Sequence, residues 1–201
     1  CARCVVPLVS AVPVGLEVSA VCGACLNADE EEQIDWDQRR RWLLDLVEGY
    51  RTSSNYDVVI GVSGGKDSYF QTHVAVHDLG LKPLLVTYHA NNYLPEGEAN
   101  LQRMGHAFDA DHIIVRPSET VLRKMNRLGF FLQGDMNWHA HAGIFTVPFQ
   151  IAVRYRIPLV LWGEHGFSSL GGTFTPDDLI EFTFRDRHEH ALRGFEWYDY
   201  T

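Results

Sequence analysis

The hydrophobic positions of this chain change pattern near residue 56. From there onward, short continuous apolar runs alternate with longer stretches of helical periodicity. Val58 to Val62, Pro83 to Tyr88, His112 to Val115 and Pro158 to Trp162 read as short strands apolar on both faces. Between and around them, Ser68 to Leu79, Glu96 to Phe108, Glu119 to Phe131 and Ile144 to Tyr155 read as helices. Buried strands separated by helical crossovers predict a parallel α/β sheet. Ahead of it, Trp36, Leu43, Leu44, Leu46 and Val47 form the apolar positions of a helix ending near Tyr50, with Asp35 placed to cap it. The expected organisation is a small unit over 1–30, a linking helix over 31–55 and an α/β domain over 56–201. Neither an internal repeat nor a low-complexity segment interrupts it.

Composition narrows the class without naming a function. With 201 residues, 46% hydrophobic and 21% charged, the chain is long enough to bury a sizeable core. Its formal charge of -9 weighs against a long nucleic-acid footprint, which needs Lys and Arg in excess. Arg39-Arg40-Arg41 does not change this, because consecutive residues on a helix point around it rather than into one groove. No apolar run is long enough to span a bilayer and no secretory signal pattern opens the chain, so a cytoplasmic location is expected. The chain starts at Cys1 and stops at Thr201 just after a helical-looking stretch, and residues beyond both ends are expected.

The most informative segment is Gly61-Val62-Ser63-Gly64-Gly65-Lys66-Asp67-Ser68, directly behind the first buried strand. Glycines at 64 and 65 let backbone N–H groups converge on an anion, and a helix opening near Asp67 turns its positive dipole end to the same point. Lys66 and the hydroxyls of Ser63 and Ser68 complete a phosphate cradle. It is not a Walker A loop: Gly61 stands one residue too close to Gly65, and Asp67 holds the Ser/Thr position.

All four cysteines lie near the N-terminus as Cys1-Ala2-Arg3-Cys4 and Cys22-Gly23-Ala24-Cys25. Two C-x2-C pairs at this separation predict a structural zinc knuckle, with an iron–sulfur cluster or two disulfides as the alternatives. A closed four-thiolate site leaves the metal no open position for substrate and leaves no cysteine free as a nucleophile.

Ligands of parallel sheets bind beyond the carboxyl ends of the strands, which selects Ser63 to Ser68, Tyr88 to Asn92 and Gly163 to Gly166. In the last, Glu164 has the chemistry to bind magnesium or accept a proton, and His165 to donate to a developing oxyanion. Gly171 and Gly172 follow in a loop. Asn137-Trp138-His139-Ala140-His141 is poorly spaced for one helix face and is read as a loop, with substrate contact and plain surface both open. Arg185 to His190 lacks the spacing of a metal helix and reads as a solvated face.

The Ser-Gly-Gly-x-Asp-Ser pattern, complete from Ser63 to Ser68, resembles the pyrophosphate loop (PP-loop) of N-type ATP pyrophosphatases, which implies an adenine nucleotide alpha hydrolase-like fold. Taken with the cysteine pairs, Ile34-Asp35-Trp36, Trp138-His139, Ile144 to Pro148 and Trp162-Gly163-Glu164-His165-Gly166, nearly the whole chain resembles the N-acetyl sugar amidotransferases of lipopolysaccharide, surface-polysaccharide and flagellin-glycan biosynthesis. Members of that family are longer. The resemblance implies an enzyme that adenylylates an acetamido group of a nucleotide-linked sugar and replaces its oxygen with ammonia, giving an amidine. It implies ATP, Mg2+ and Zn2+, and separate glutaminase and cyclase-like partners that supply ammonia. Ser63, Gly64, Gly65, Lys66, Asp67 and Ser68 would hold pyrophosphate, Thr87, Tyr88 and His89 would border adenine or ribose, and Lys66, Asp67, Glu164 and His165 would serve catalysis. Trp138, His139, His141, Gly171 and Gly172 would meet the sugar, and Cys1, Cys4, Cys22 and Cys25 the metal. Transfer-RNA thiolating enzymes share this type of loop with cysteine-rich metal sites, but they need a basic surface and often a spare cysteine. A non-catalytic scaffold for a glutaminase is the remaining alternative.

Overall fold

The computed structural model describes residues 1–5, 20–53, 55–91, 93–163, 184, 188, 192 and 194–200. The chain parts into two compact units between Asp45 and Leu46. In the first, helix α1 (Gly23–Glu31) follows directly on Cys22, whose carbonyl accepts from the Cys25 and Leu26 N–H groups at 3.0 and 3.1 Å. This helix is absent from the sequence expectation, where its acidic second half gives no amphipathic stripe. Helix α2 (Trp36–Gly49) begins as expected, with the Asp35 carboxylate accepting from the Gln38 N–H at 2.9 Å.

The second unit holds the sheet. Its strands are β1 (Val58–Gly61), β2 (Pro83–Tyr88), β3 (Asp111–Val115) and β4 (Leu159–Leu161), all parallel in the order β3-β2-β1-β4. Val58 stands opposite Pro83 on one side and Leu159 on the other. The helices are α3 (Lys66–His73), α4 (Pro95–Phe108), α5 (Glu119–Gln133) and α6 (Trp138–Tyr155). The period of two along β1 divides the core between two layers. Val58, Ile60 and Val62 pack with Ala75, Leu101 and Met104, while Val59 packs with Leu84, Val86, Ile151 and Ala152 on the α6 side. None of the described helices is long and apolar enough to cross a membrane.

Two elements depart from the periodicity. The helix expected over Ser68 to Leu79 starts at Lys66 and passes at Val74–Asp78 into a π-helical turn, closed by the Leu79 N–H on the Val74 carbonyl at 2.9 Å. The helix expected from Ile144 already starts at Trp138, so the segment read as a loop is its first turn. Gly143 and Pro148 weaken the pattern there, yet both are contact residues. A Cβ on Gly143 would meet the Tyr88 ring at 2.4 Å, and Pro148 is buried beside Gly61. Close approach to the sheet offsets the helix hydrogen bond that Pro148 forgoes.

At the end of the sheet opposite the β1 loop, Asp57 is 1% exposed. Its carboxylate accepts from the backbone N–H groups of Thr52 and Lys82, both at 3.0 Å, tying the entry of β1 to that of β2. Burial alone would raise its pKa, but those two N–H groups and the nearby Lys82 and Arg51 charges outweigh it, and the net shift is downward. A carboxyl depressed in the folded state stabilises the fold above its unfolded pKa and loses that contribution as pH falls through the folded value. Asp57→Ala removes the acceptor of both N–H groups and is expected to cost about 2 kcal/mol. In thermal melts, wild type should lose more stability than Asp57→Asn as the medium is acidified below about pH 5. Parallel acid profiles for the two proteins would contradict this role.

Candidate active site

The β1–α3 turn is built around two glycines with different reasons to be there. Gly64 has φ +80, in the left-handed region, and a Cβ at that position would lie 2.7 Å from the Leu101 backbone nitrogen of α4. Only glycine fits both the turn and the approach of α4. Gly65 caps α3 with φ -77 and ψ 170, an extended conformation open to any residue, and a Cβ there would meet only the Ser63 Oγ at 3.4 Å. Its lack of a side chain is therefore not demanded by the fold. It leaves the first turn of α3 without a side-chain cap, so unpaired N–H groups and the positive end of the helix face outward.

The loop is ordered by its own hydroxyls. Ser68 Oγ accepts from the Ser63 N–H at 2.9 Å and lies 3.2 Å from Ser63 Oγ, and the Gly65 N–H donates to Ser63 Oγ at 3.4 Å. Lys66 and Asp67 stand exposed and pair at 2.6 Å. Six consecutive residues from Ser63 to Ser68 are thus gathered at the carboxyl end of β1. Their cationic, hydroxyl and N–H groups suit a polyanion.

Beside the loop opens a cleft of about 420 Å³, lined by Ser63, Tyr88, Ala90, Asn91, Tyr93, Leu94, Glu96, Gly97 and Ile144 among the described residues. Its size and mixed lining suit a small-molecule ligand. Of the three residues expected at the end of β2, Tyr88 lines it. Thr87 is buried, its hydroxyl donating to the Val62 carbonyl at 2.6 Å and accepting from His112 Nε2 at 2.9 Å. Burial lowers the His112 pKa, which keeps that ring neutral and a single donor. His89 is likewise buried, 2.6 Å from Glu98 and stacked on Tyr93 with centroids 4.2 Å apart. His89, with help from Gln102 and Arg116, holds the Glu98 carboxyl down at about 2. Thr87 and His89 thereby support the cleft from behind.

The α6 candidates separate. His139, 4% exposed, sits against Tyr88, Asn91 and Asn126, whereas His141, two residues on, is exposed on another helix face. Trp138 is buried and its indole N–H donates to the Leu192 carbonyl at 3.1 Å, an anchor for α6 rather than part of the cleft wall. Glu164, His165, Gly166, Gly171, Gly172 and most of 185–190 lie outside the described residues. Asn91 and Tyr93 are cleft residues that no motif singled out, and Ile144 entered only as the first residue of the Ile144 to Pro148 stretch. Asn91 alone had a signal, its place just beyond a strand end.

In the N-terminal unit, the sulfurs of the four cysteines lie within 4.8 Å of one another. Cys1 and Cys25 are 3.9 Å apart, and Cys4 and Cys22 3.6 Å. A tetrahedral zinc ion with bonds of about 2.3 Å places its sulfurs roughly 3.8 Å apart, so the set fits a single ion. A disulfide needs about 2.0 Å, and a multi-iron cluster seats its thiolates on separate, spaced iron atoms. The N–H groups of Arg3 and Cys22 point at Cys1 Sγ from 3.4 and 3.3 Å, and backbone donors from Cys25 and Ala24 lower the Cys22 pKa. Bonding to Cys22 and Cys4 holds the Cys25 thiol up at about 11.

No protein-family model matches the sequence, and no curated protein matches it. Solved structures do share the fold. An NMN synthetase from Francisella tularensis superposes with a TM-score of 0.51 at 19% identity, over 67% of this chain and 55% of its own. An NH3-dependent NAD synthetase from Campylobacter jejuni subsp. jejuni NCTC 11168, in complex with nitrate, gives 0.51 at 15% identity, over 82% of this chain and 80% of its own. The chain therefore has the α/β parallel-sheet architecture of these synthetases, as the sequence pattern predicted, and it spans little more than half of the Francisella protein.

The glycine pair gives a divided expectation. Gly64→Ala should destabilise the protein by about 2 kcal/mol or more through left-handed strain and the clash with α4. Gly65→Ala should melt like wild type yet lose nucleotide binding, and unchanged binding in that variant would contradict phosphate approach at residue 65. For the cysteines, zinc uptake should be stoichiometric, release protons because Cys25 is protonated at neutral pH, and fail in Cys22→Ser. Zinc binding by Cys22→Ser at wild-type affinity would refute the four-thiolate site.

Proposed function

We propose that this protein is an ATP-dependent enzyme, forming AMP and pyrophosphate, that activates an acetamido group of a nucleotide-linked sugar for displacement by ammonia. The observation that carries the proposal is the Ser63 to Ser68 loop, gathered at the N-terminus of α3 beside an open cleft at the strand ends. The fold shared with two synthetases, one of them NH3-dependent, supports both nucleotide activation and ammonia as the nitrogen donor. The acetamido sugar rests on the resemblance of the whole motif order, and places the reaction in surface-glycan biosynthesis.

The chemistry follows from the weakness of an amide as an electrophile. Its oxygen leaves poorly until the α-phosphorus of ATP is bonded to it. Attack of that oxygen on the α-phosphorus breaks the bond to the bridging oxygen, and pyrophosphate departs. Ammonia then adds to the activated carbon, a proton is lost, and AMP leaves with the former amide oxygen. The Ser63 and Ser68 hydroxyls, the loop N–H groups and Lys66 are placed to receive charge as pyrophosphate forms, and Gly65 leaves space for its approach. Mg2+ when bound would neutralise the polyphosphate. The exposed carboxylates of Asp67 in the loop and Glu96 on the cleft wall suit an ion that binds through one or two carboxylates plus phosphate. Tyr88 would border adenosine, and Glu164 and His165 would work at the reacting amide. The four-thiolate cluster takes up all four cysteines of the chain, so ammonia is proposed to reach the activated amide from a separate glutaminase with a cyclase-like subunit.

The test supplies the protein with ATP, magnesium, ammonium and a panel of diacetamido nucleotide sugars, and follows nucleotide products and sugar mass. AMP with pyrophosphate, and a sugar lighter by the difference between O and NH, is the expected result. ADP with phosphate would contradict it. Lys66→Ala should abolish turnover while the melting curve stays close to wild type, since Lys66 is exposed and its ion pair is with its neighbour.

A further inference from the structure

Behind the cleft wall, four elements meet in one hydrogen-bonded cluster. His139 at the start of α6 places Nε2 2.7 Å from Asn126 Oδ1 of α5. Asn91, in the segment after β2, donates from Nδ2 to the same Asn126 oxygen at 2.7 Å and to Asn137 Oδ1 at 3.4 Å. Asn126 Nδ2 donates back to Asn91 Oδ1 at 3.2 Å. On its other side, His139 Nδ1 lies 3.3 Å from the Tyr88 hydroxyl.

The 2.7 Å contact is the shorter of the two at His139 Nε2 and sets its role. Asn126 Oδ1 can only accept, so His139 Nε2 carries the hydrogen and Nδ1 accepts from Tyr88. Burial lowers the His139 pKa, against the nearby Asp135 charge, in keeping with that neutral ring. Both Asn91 amide hydrogens are aimed at carbonyl oxygens. Its Nδ2 and the His139 Nε2, 3.0 Å apart, are two donors that share one acceptor. One lone pair of Asn91 Oδ1 is left without a partner among the described residues, and Asn91 lines the cleft. An unrestrained asparagine presents either end of its amide and discriminates poorly. Held by Asn126 and His139, this one offers an acceptor only.

We infer that Asn91 is a specificity-determining residue of the cleft and that His139 and Asn126 are positioning residues that hold it, so that a purine with a 6-amino group is favoured over one with a 6-carbonyl. The inference rests on the nucleotide reading of the cleft. An adenine-type base would give its amino hydrogen to Asn91 Oδ1, whereas a guanine-type base would set its carbonyl oxygen against that acceptor.

The experiment is calorimetric titration of the whole chain with non-hydrolysable ATP and GTP analogues, and with pyrophosphate. Wild type should prefer the ATP analogue by roughly tenfold or more, the range of a well-placed base contact. Asn91→Leu should bring the ratio near unity. Asn126→Ala and His139→Leu should do the same although neither residue lines the cleft, with thermal melts confirming that each variant is folded. Asn91 is only half-buried, so its variant keeps the test decisive should the buried His139 variant fail to fold. A purely structural role would weaken both analogues alike and leave the ratio intact. An even wild-type ratio, or a ratio preserved in the variants, overturns this inference while the nucleotide reading stands. No binding of either analogue or of pyrophosphate to wild type overturns both.

Discussion

The left-handed turn at Gly64 is the constraint on which the arrangement depends. It lets β1 reverse into α3 while the backbone of α4 at Leu101 passes within contact distance. Two helix starts are thereby brought to the same end of the sheet. The first turn of α3 carries the loop, and the first turn of α4 supplies Glu96 and Gly97 to the cleft. Any side chain at 64 would separate them. The loop and the cleft are in this sense one structural decision, made at a residue that has no functional group of its own.

Around that point the polar groups divide by depth. Those at the surface, Lys66 and Asp67, pair with each other alone among the described residues and are open to a ligand. Those beneath are committed: Thr87 to Val62 and His112, His89 to Glu98, His139 to Asn126. A committed group stiffens the wall against which a ligand is aligned, because losing its partner would leave a buried polar atom unsatisfied. At the opposite end of the sheet Asp57 plays the same part, joining the entries of β1 and β2.

Much of this was legible in the sequence where the information is contiguous. Ser63 to Ser68 is one uninterrupted segment, and its position behind a β-branched run defines both the turn and the helix start. The cysteine pairs are legible for the same reason, since the spacing within each pair fixes its geometry. The four strands announce themselves by unbroken apolar runs. What escaped depends on partners far away along the chain. His139 and His141 gave the spacing of a loop because two residues apart they fall on different helix faces, and Gly143, whose reason is the Tyr88 ring on the sheet, interrupts the pattern ahead of the helix expected from Ile144. Asn126 lies on an amphipathic helix with nothing to distinguish it, and gains its meaning only when α5 brings it to Asn91. Thr87 and His89 were placed correctly at a strand end, but the side to which each turns is decided by His112 and Glu98.

In the proposed reaction the amide oxygen of the acceptor bonds to the α-phosphorus of ATP. This step is tested most directly by supplying an acetamido sugar labelled with heavy oxygen at its amide and weighing the nucleotide product. The label is expected in AMP. Label retained in the sugar, or carried into inorganic phosphate with ADP as the nucleotide product, would contradict it.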